Sequence, residues 1–372
     1  MNGRILVLSG DAFHASGGIA QFNRDLIGAW SSMASVEQIV ILPRFSSGPS
    51  GELPPKVVED RAANSLHLYI SRAILTILRR PSFSCVFCGH LNMVPLAVVL
   101  SRLSGAPIWL QLHGIEAWSK PSEIVRWSVE KATLITCVSR YTRRKFLGWA
   151  HVPPQQVLVL PNTVGEQFTP VGPEKSVAGR YGLSGRKIML SVSRLSKREG
   201  YKGHDRVIRC MPKLLEEYDD LLYVIAGEGD LESELRALAG TLGVDHAVSF
   251  LGPVEHADLP SLYREADVFA MPSTGEGFGI VFLEALACGT PVIAGAHDGA
   301  RDPLQDGALG VLSDDEGLMA SIRAVLAGEG LMPNLKQVQA LRAESMRRHF
   351  GWSVFSTQAM AITDRVLARI NA

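Results

Sequence analysis

Glu276 and Glu284 are separated by seven residues, in Pro272-Ser-Thr-Gly-Glu276-Gly277-Phe278-Gly279-Ile-Val-Phe-Leu-Glu284-Ala-Leu-Ala-Cys-Gly289-Thr-Pro-Val-Ile293. This stretch begins where the apolar run Val268–Met271 ends, passes through small residues, and then takes on helical spacing. A loop of small residues at a helix N-terminus offers free backbone N–H groups and a positive dipole end, both suited to a phosphate. Glu276, on the loop, can reach hydroxyls lying beyond that phosphate. Glu284 is about two helical turns further on and can accept hydrogen bonds from a vicinal diol such as ribose.

A second cluster, Ser191-Val-Ser-Arg194-Leu-Ser-Lys197-Arg198-Glu-Gly-Tyr-Lys202-Gly203-His-Asp, places Arg194 and Lys202 around a strand-to-helix loop. Fixed cations there would stabilise the charge that builds on a departing phosphate. Lys197 and Arg198 read as solvated loop charges. Near the N-terminus, Ser9-Gly-Asp-Ala-Phe-His-Ala-Ser-Gly17-Gly18-Ile-Ala-Gln follows the first strand. It is not G-x-G-x-x-G, which argues against a simple dinucleotide site. Gly17 and Gly18 suit either a tight turn or the approach of a ligand to the backbone. His113 and His90 each stand at a strand end, where a histidine can meet a ligand or cap structure.

The elements that must position these residues alternate along the chain. Short β-branched runs, Ile5–Leu8, Ile39–Leu42, Cys85–Cys88, Ile108–Leu112, Leu134–Val138 and Val157–Leu160, are separated by helical patterns such as Ile19–Ser32, Leu66–Arg80, Met93–Leu103 and Tyr141–Trp149. Strands that are apolar on both faces and separated by helices predict a parallel sheet covered on both sides. The Pro- and Gly-rich stretch Phe168–Pro173 reads as a linker, and a second βα series follows it. The expected architecture is α/β, with two Rossmann-like doubly wound domains facing an interdomain cleft: residues 1–168, residues 169–350, and a C-terminal helix over 351–372 that crosses back to the first domain.

In these residues the chain resembles the retaining GT-B glycosyltransferases of family 4, the group 1 enzymes of bacterial surface-polysaccharide assembly. The resemblance rests on Glu276 and Glu284, with Glu-Gly-Phe-Gly and Glu-Ala-x-Ala-Cys-Gly-x-Pro-Val-Ile around them. It implies that Glu276 contacts the donor sugar, Glu284 the ribose, and Arg194 and Lys202 the diphosphate. Gly277, Phe278 and Gly279 are expected in the donor loop, Gly17 and Gly18 beside the donor, and His113 against the sugar as a hydrogen-bond donor. Two departures stand out. Thr163 replaces the glycine of the usual Pro-Asn-Gly-Val turn, leaving Asn162 as a hinge residue. Gly295-Ala-His-Asp-Gly-Ala-Arg301-Asp302 replaces a Gly-Gly-x-x-Glu turn, so that Asp302 takes the glutamate's place and Arg301 is an added cation.

Bulk properties narrow the reading. The chain has 372 residues, enough for two cores. It has zero formal net charge, which does not point to nucleic acid. Residues 1–170 nevertheless carry sixteen Lys and Arg against ten Asp and Glu. Five cysteines set in apolar runs read as reduced, buried thiols, including the Cys85-x-x-Cys88 pair. There is no D-x-D triplet and no metal-ligand spacing, so neither metal nor cofactor is expected and the UDP- or GDP-sugar donor is a substrate. No apolar run spans a bilayer, and the first is too short for a signal-peptide core. The expected location is therefore the cytoplasm. The basic, aromatic segment Ser139–Trp149 suggests peripheral contact with the inner membrane face and a saccharide or lipid-linked saccharide acceptor. Rival readings are a GT-B epimerase or phosphorylase, and a non-catalytic sugar-nucleotide-binding partner of another transferase.

Overall fold

The computed structural model describes residues 3–13, 17–45, 53–63, 65–79, 82–172, 177–328 and 336–368. His14, Ala15 and Ser16 of the N-terminal loop lie outside the described residues. So do Arg80 and Pro173, the expected ends of a helix and the linker, and residues 369–372 of the expected tail helix.

The chain divides into two compact units: the residues up to Thr163 together with those from Ser353, and Val164–Trp352 between them. Unit 1 holds a seven-stranded sheet of β1 (Gly3–Ser9), β2 (Val36–Pro43), β3 (Val57–Glu59), β4 (Cys85–Cys88), β5 (Ile108–Leu112), β6 (Leu134–Cys137) and β7 (Val157–Val159). Its order is β3-β2-β1-β4-β5-β6-β7, with every pair parallel. Unit 2 holds β8 (Lys187–Val192), β9 (Leu221–Ala226), β10 (Val248–Gly252), β11 (Val268–Met271), β12 (Val292–Gly295) and β13 (Val311–Ser313). These run in the order β10-β9-β8-β11-β12-β13, again all parallel. Strand order reverses between β1 and β4 and between β8 and β11, and loops at such switch points are where open α/β sheets bind ligands.

Helices of unit 1 cover both faces of its sheet. The helix Gly18–Ser32 buries Phe22, Leu26, Ile27 and Trp30 along one stripe. Trp30 meets Phe87 and Trp109 edge-on at 5.1 and 5.5 Å. The helix Trp352–Ala368 joins this core: Phe355 packs on Phe22, and Thr363 accepts a hydrogen bond from Trp30 Nε1 at 2.8 Å. On the other face, Tyr69, Ala73, Ile77, Val94, Val98, Val129 and Phe146 form a second core with Leu6, Leu8 and Cys88. All five cysteines are buried and free, and burial pushes the Cys85 and Cys88 thiols up to about 12. They are packing residues.

The boundary falls at Thr163/Val164, upstream of the expected residue 168. Phe168 is fully buried in unit 2, edge-on to His256 and Tyr263. An aromatic anchor of this kind draws the start of the Pro- and Gly-rich stretch onto unit 2.

Candidate active site

Arg194, Lys202 and Glu276 meet at the switch point of unit 2. After β8 the chain turns through Ser193–Ser196 into the short helical run Lys197–Lys202, then enters the helix His204–Leu215. A buried polar chain beneath this turn fixes its shape. Tyr223 Oη lies 2.8 Å from Ser191 Oγ and 3.1 Å from His204 Nδ1, while His204 Nε2 lies 2.8 Å from Ser193 Oγ. Burial, with Lys202 nearby, lowers His204 to about 3, so its ring is neutral. Arg194 pairs with Glu199, and Lys202 Nζ lies 3.0 Å from the same carboxylate.

The loop that follows β11 runs alongside this turn. Thr274 N donates to Tyr201 O at 2.9 Å, and the Tyr201 ring lies so close to Gly275 that a Cβ there would fall 2.8 Å from it. Burial raises the carboxyl of Glu276 above its ordinary value, and Lys202 pulls it back down. The main chain at Glu276 is pinned by Asp298, which is fully buried: Oδ2 accepts from Glu276 N at 2.6 Å and from Ser273 Oγ at 2.7 Å, and Oδ1 from Ala300 N at 2.9 Å. Gly299 N donates back to Glu276 O at 2.8 Å. Gly279, at φ +85, starts the helix Ile280–Ala287, where a side chain would also strike the Phe282 ring. On that helix Glu284 is buried and Tyr263 Oη donates to its Oε2 at 2.8 Å. Burial pushes the Glu284 carboxyl up to about 7.

Two expectations change here. The Phe278 ring is 2% exposed and stacks edge-on against Phe350 at 5.8 Å, so any part it plays towards a ligand is through its backbone. The carboxylate that organises the turn after β12 is Asp298. Arg301 is paired with Asp306 at 3.0 Å, and Asp302 is buried. Sequence reasoning missed Asp298, Glu199, His204, Tyr201 and Tyr263. Asp298-Gly299 is the Asx–Gly signature of a capped turn; the others are ordinary residues until the fold places them.

In unit 1, Gly17 caps the helix Gly18–Ser32 with φ +108, a conformation that favours glycine, and no heavy atom lies within 4 Å of where its Cβ would be. Gly17 and Gly18 are exposed, so the helix N-terminus is open to an anion. His113 follows β5. Its Nε2 lies 3.0 Å from Gly89 O, its main-chain N donates to Glu116 Oε1, and its ring is edge-on to Phe22. Burial lowers it to about 4, partly opposed by Glu116. A carbonyl only accepts, so the single N–H of the neutral ring points at Gly89, and His113 presents a ligand with the Nδ1 lone pair rather than a donor. His90 Nδ1 accepts from Asn92 N and caps the turn Leu91–Met93. Asn162 is buried next to the unit boundary.

The segment Ser139–Trp149 folds back on its own unit. Arg143 donates to Val157 O and Pro154 O at 2.7 and 2.9 Å, Phe146 is buried, and Trp149 Nε1 donates to Ala117 O. Arg140, Arg144 and Lys145 are left exposed, the last two against the Tyr141 ring. A group of exposed apolar side chains lies elsewhere, on the adjacent helices Leu66–Arg79, Val94–Ser104 and Glu123–Val129, among them Leu68, Leu75, Leu78, Val99, Leu103, Ile124 and Trp127. Arg102 and Lys131 flank the Trp127 ring at 5.2 and 5.3 Å. Among the described residues no helix is long and apolar enough to cross a membrane.

Comparison with known proteins matches residues 16–167 to the model of glycosyltransferase family 4 and residues 179–340 to that of the glycosyl transferases group 1. The chain is 30% identical over 317 residues to the GDP-mannose-dependent monoacylated alpha-(1-6)-phosphatidylinositol monomannoside mannosyltransferase of Corynebacterium glutamicum, covering 80% of this chain and 82% of that one. It is 36% identical over 247 residues to the GDP-mannose-dependent alpha-(1-6)-phosphatidylinositol monomannoside mannosyltransferase of Mycolicibacterium smegmatis, covering 62% and 64%. The matched region thus spans under two thirds of the mycobacterial relative's length. Among solved structures, the UDP-glucose complex of Anabaena HepE superposes with a TM-score of 0.78 at 18% identity, covering 97% of this chain and 99% of that one. The sucrose-phosphate synthase of Thermosynechococcus elongatus gives 0.79 at 19%, covering 99% and 100%. These two likenesses establish the fold.

Proposed function

The chain belongs to the group 1, family 4 glycosyltransferases, and from that premise we propose that it moves a hexosyl group from a UDP- or GDP-sugar to a saccharide or lipid-linked saccharide acceptor with retention of anomeric configuration. GDP-mannose is the first donor to try, because the mannosyltransferase relatives are named for it. The product belongs to exopolysaccharide, lipopolysaccharide or a related envelope glycolipid. In the reaction proposed, the bond from the anomeric carbon to the diphosphate oxygen breaks as the acceptor oxygen bonds to the same face. The acceptor's hydroxyl proton passes to a phosphate oxygen. Arg194 and Lys202 take up the departing charge, Glu276 contacts the sugar and Glu284 the ribose, with Gly17, Gly18 and His113 as the unit 1 contacts. With these cations in place no metal ion is required.

The observation that carries this reading is the switch point of unit 2, where the Lys202 cation acts on the half-buried carboxyl of Glu276 while Glu284 is buried on the helix that follows. The test follows release of nucleoside diphosphate from GDP-mannose and UDP-glucose, with and without a lipid-linked saccharide, in excess chelator. Release only when acceptor is present, undiminished by chelator, is the expected result; the glycosidic product keeps the donor's anomeric configuration. Glu276→Gln should fold and lose about 10²-fold or more in kcat, the scale of a misplaced reacting group. Release without acceptor, or full turnover by the variant, would count against transfer at this site. Lipid contact is proposed through Leu68, Leu75, Leu78 and Trp127.

A further inference from the structure

We propose that Glu199 is a built-in counter-anion of the diphosphate seat, pairing with Arg194 and Lys202 and giving way when a nucleoside diphosphate arrives. The proposal rests on the preceding reading of unit 2. Its two oxygens are divided between the cations: Oε1 takes Arg194 Nη2, and Oε2 lies 3.0 Å from Lys202 Nζ. One anion bridging two cationic side chains through separate oxygens is also how a phosphate group would use them. Without such a bridge the two cations would repel each other, and long side chains would wander.

The surroundings fit an anion that can leave. The loop carrying Glu199 is anchored on both sides of it: Lys197 N donates to Asp230 Oδ1 at 2.8 Å and Lys197 Nζ pairs with Glu234 at 2.7 Å. Beyond it, Tyr201 O accepts from Thr274 N and from Arg206 Nη2. Glu199 itself breaks the helical run between these anchors, at φ −111 and ψ 22. The Arg194 side chain is 79% exposed against 11% for Lys202. The pair with Arg194 is therefore weak, the pair between Lys202 and Glu199 (17% exposed) is the sheltered one, and a diphosphate brings more charge and more acceptor oxygens to both cations. Glu199 therefore acts as a positioning residue. It keeps both cations aimed before the donor binds, and it competes with the nucleoside diphosphate once transfer is complete.

The test compares the full chain with Glu199→Gln, which keeps the side chain's shape and removes its charge. Calorimetry with GDP and UDP should show the dissociation constant of the bound nucleotide falling about tenfold in the variant, with a steeper dependence on salt. Steady-state kinetics should show donor KM and kcat falling together, because product leaves more slowly. A damaged site would instead raise KM, and Arg194→Ala, which removes a proposed ligand, should weaken binding. Equal or weaker nucleotide binding by folded Glu199→Gln would overturn the counter-anion role alone. Failure of the unaltered chain to bind either nucleotide would overturn the underlying reading of the site, and this proposal with it.

Discussion

Burial decides the protonation state of Glu284, and that state decides what the side chain can hold. With its carboxyl raised to about 7, much of it is protonated in slightly acidic solution. Ribose hydroxyls donate hydrogen bonds, so the ionised carboxylate is the binding form. Nucleotide affinity should therefore rise with pH up to about 7 and level off above it, and Glu284→Gln should flatten that profile. Folding stability responds in the opposite sense. A folded value above the unfolded one gives stability that is fully present near pH 4 and lost as pH rises through about 7. Chemical denaturation of the variant should thus gain on the parent chain between pH 5 and pH 8. A parent binding profile that stays flat across this range would remove Glu284 from the nucleotide contact. Glu284 stood out in the sequence because of Glu276, with seven residues between the two. Its protonation did not, since that depends on Tyr263 and the buried surroundings the fold provides.

At the scale of elements, the interior strands and the long helices were legible because their apolar spacing is strong. β1, β4, β5 and β11 and the helix Gly18–Ser32 fall where β-branched runs and a 3.6-residue period place them. The edge strands β3 and β13 carry too little pattern to be seen, whereas β7, equally short, lies in the apolar run Val157–Leu160; in β3 no residue is fully buried. The helix Arg140–Leu147 shows a different limit. Composition found its cations and aromatic residues, but only packing tells that Arg143 and Trp149 serve their own unit. The lipid-facing role proposed for unit 1 thus moves to the exposed apolar residues on the layer of three adjacent helices. Cations set among them, two against Trp127, match an anionic leaflet, and a tryptophan suits the polar–apolar boundary. Leu75→Glu with Leu78→Glu should abolish sedimentation with phosphatidylglycerol vesicles while leaving the fold intact, whereas Arg144→Glu should only weaken it. Equal sedimentation of all three proteins would rule this layer out.

The whole molecule is threaded so that its last helix completes the unit formed by its first residues. Unit 1 is left at Thr163 and re-entered at Ser353. Phe355, Ala359, Ile362 and Val366 are buried there, and Leu367 lies against Gly3 on β1. Gly351 N closes onto Arg347 O between the helices Lys336–Phe350 and Trp352–Ala368, so the chain changes units at a helix break. Phe355 sits on Phe22, which in turn meets His113, and the tail therefore supports a proposed site residue from behind. Phe355→Ala should cost about 3–5 kcal/mol, the range for a large buried aromatic side chain. Hydrogen exchange should show the loss first in β1, β2 and β4. Phe278→Ala, which removes an equally buried ring paired with Phe350 in unit 2, should loosen β11 and β12 instead. If both substitutions released the same strands, the two cores would be one cooperative structure, and the division at Thr163 and Ser353 would have no energetic meaning.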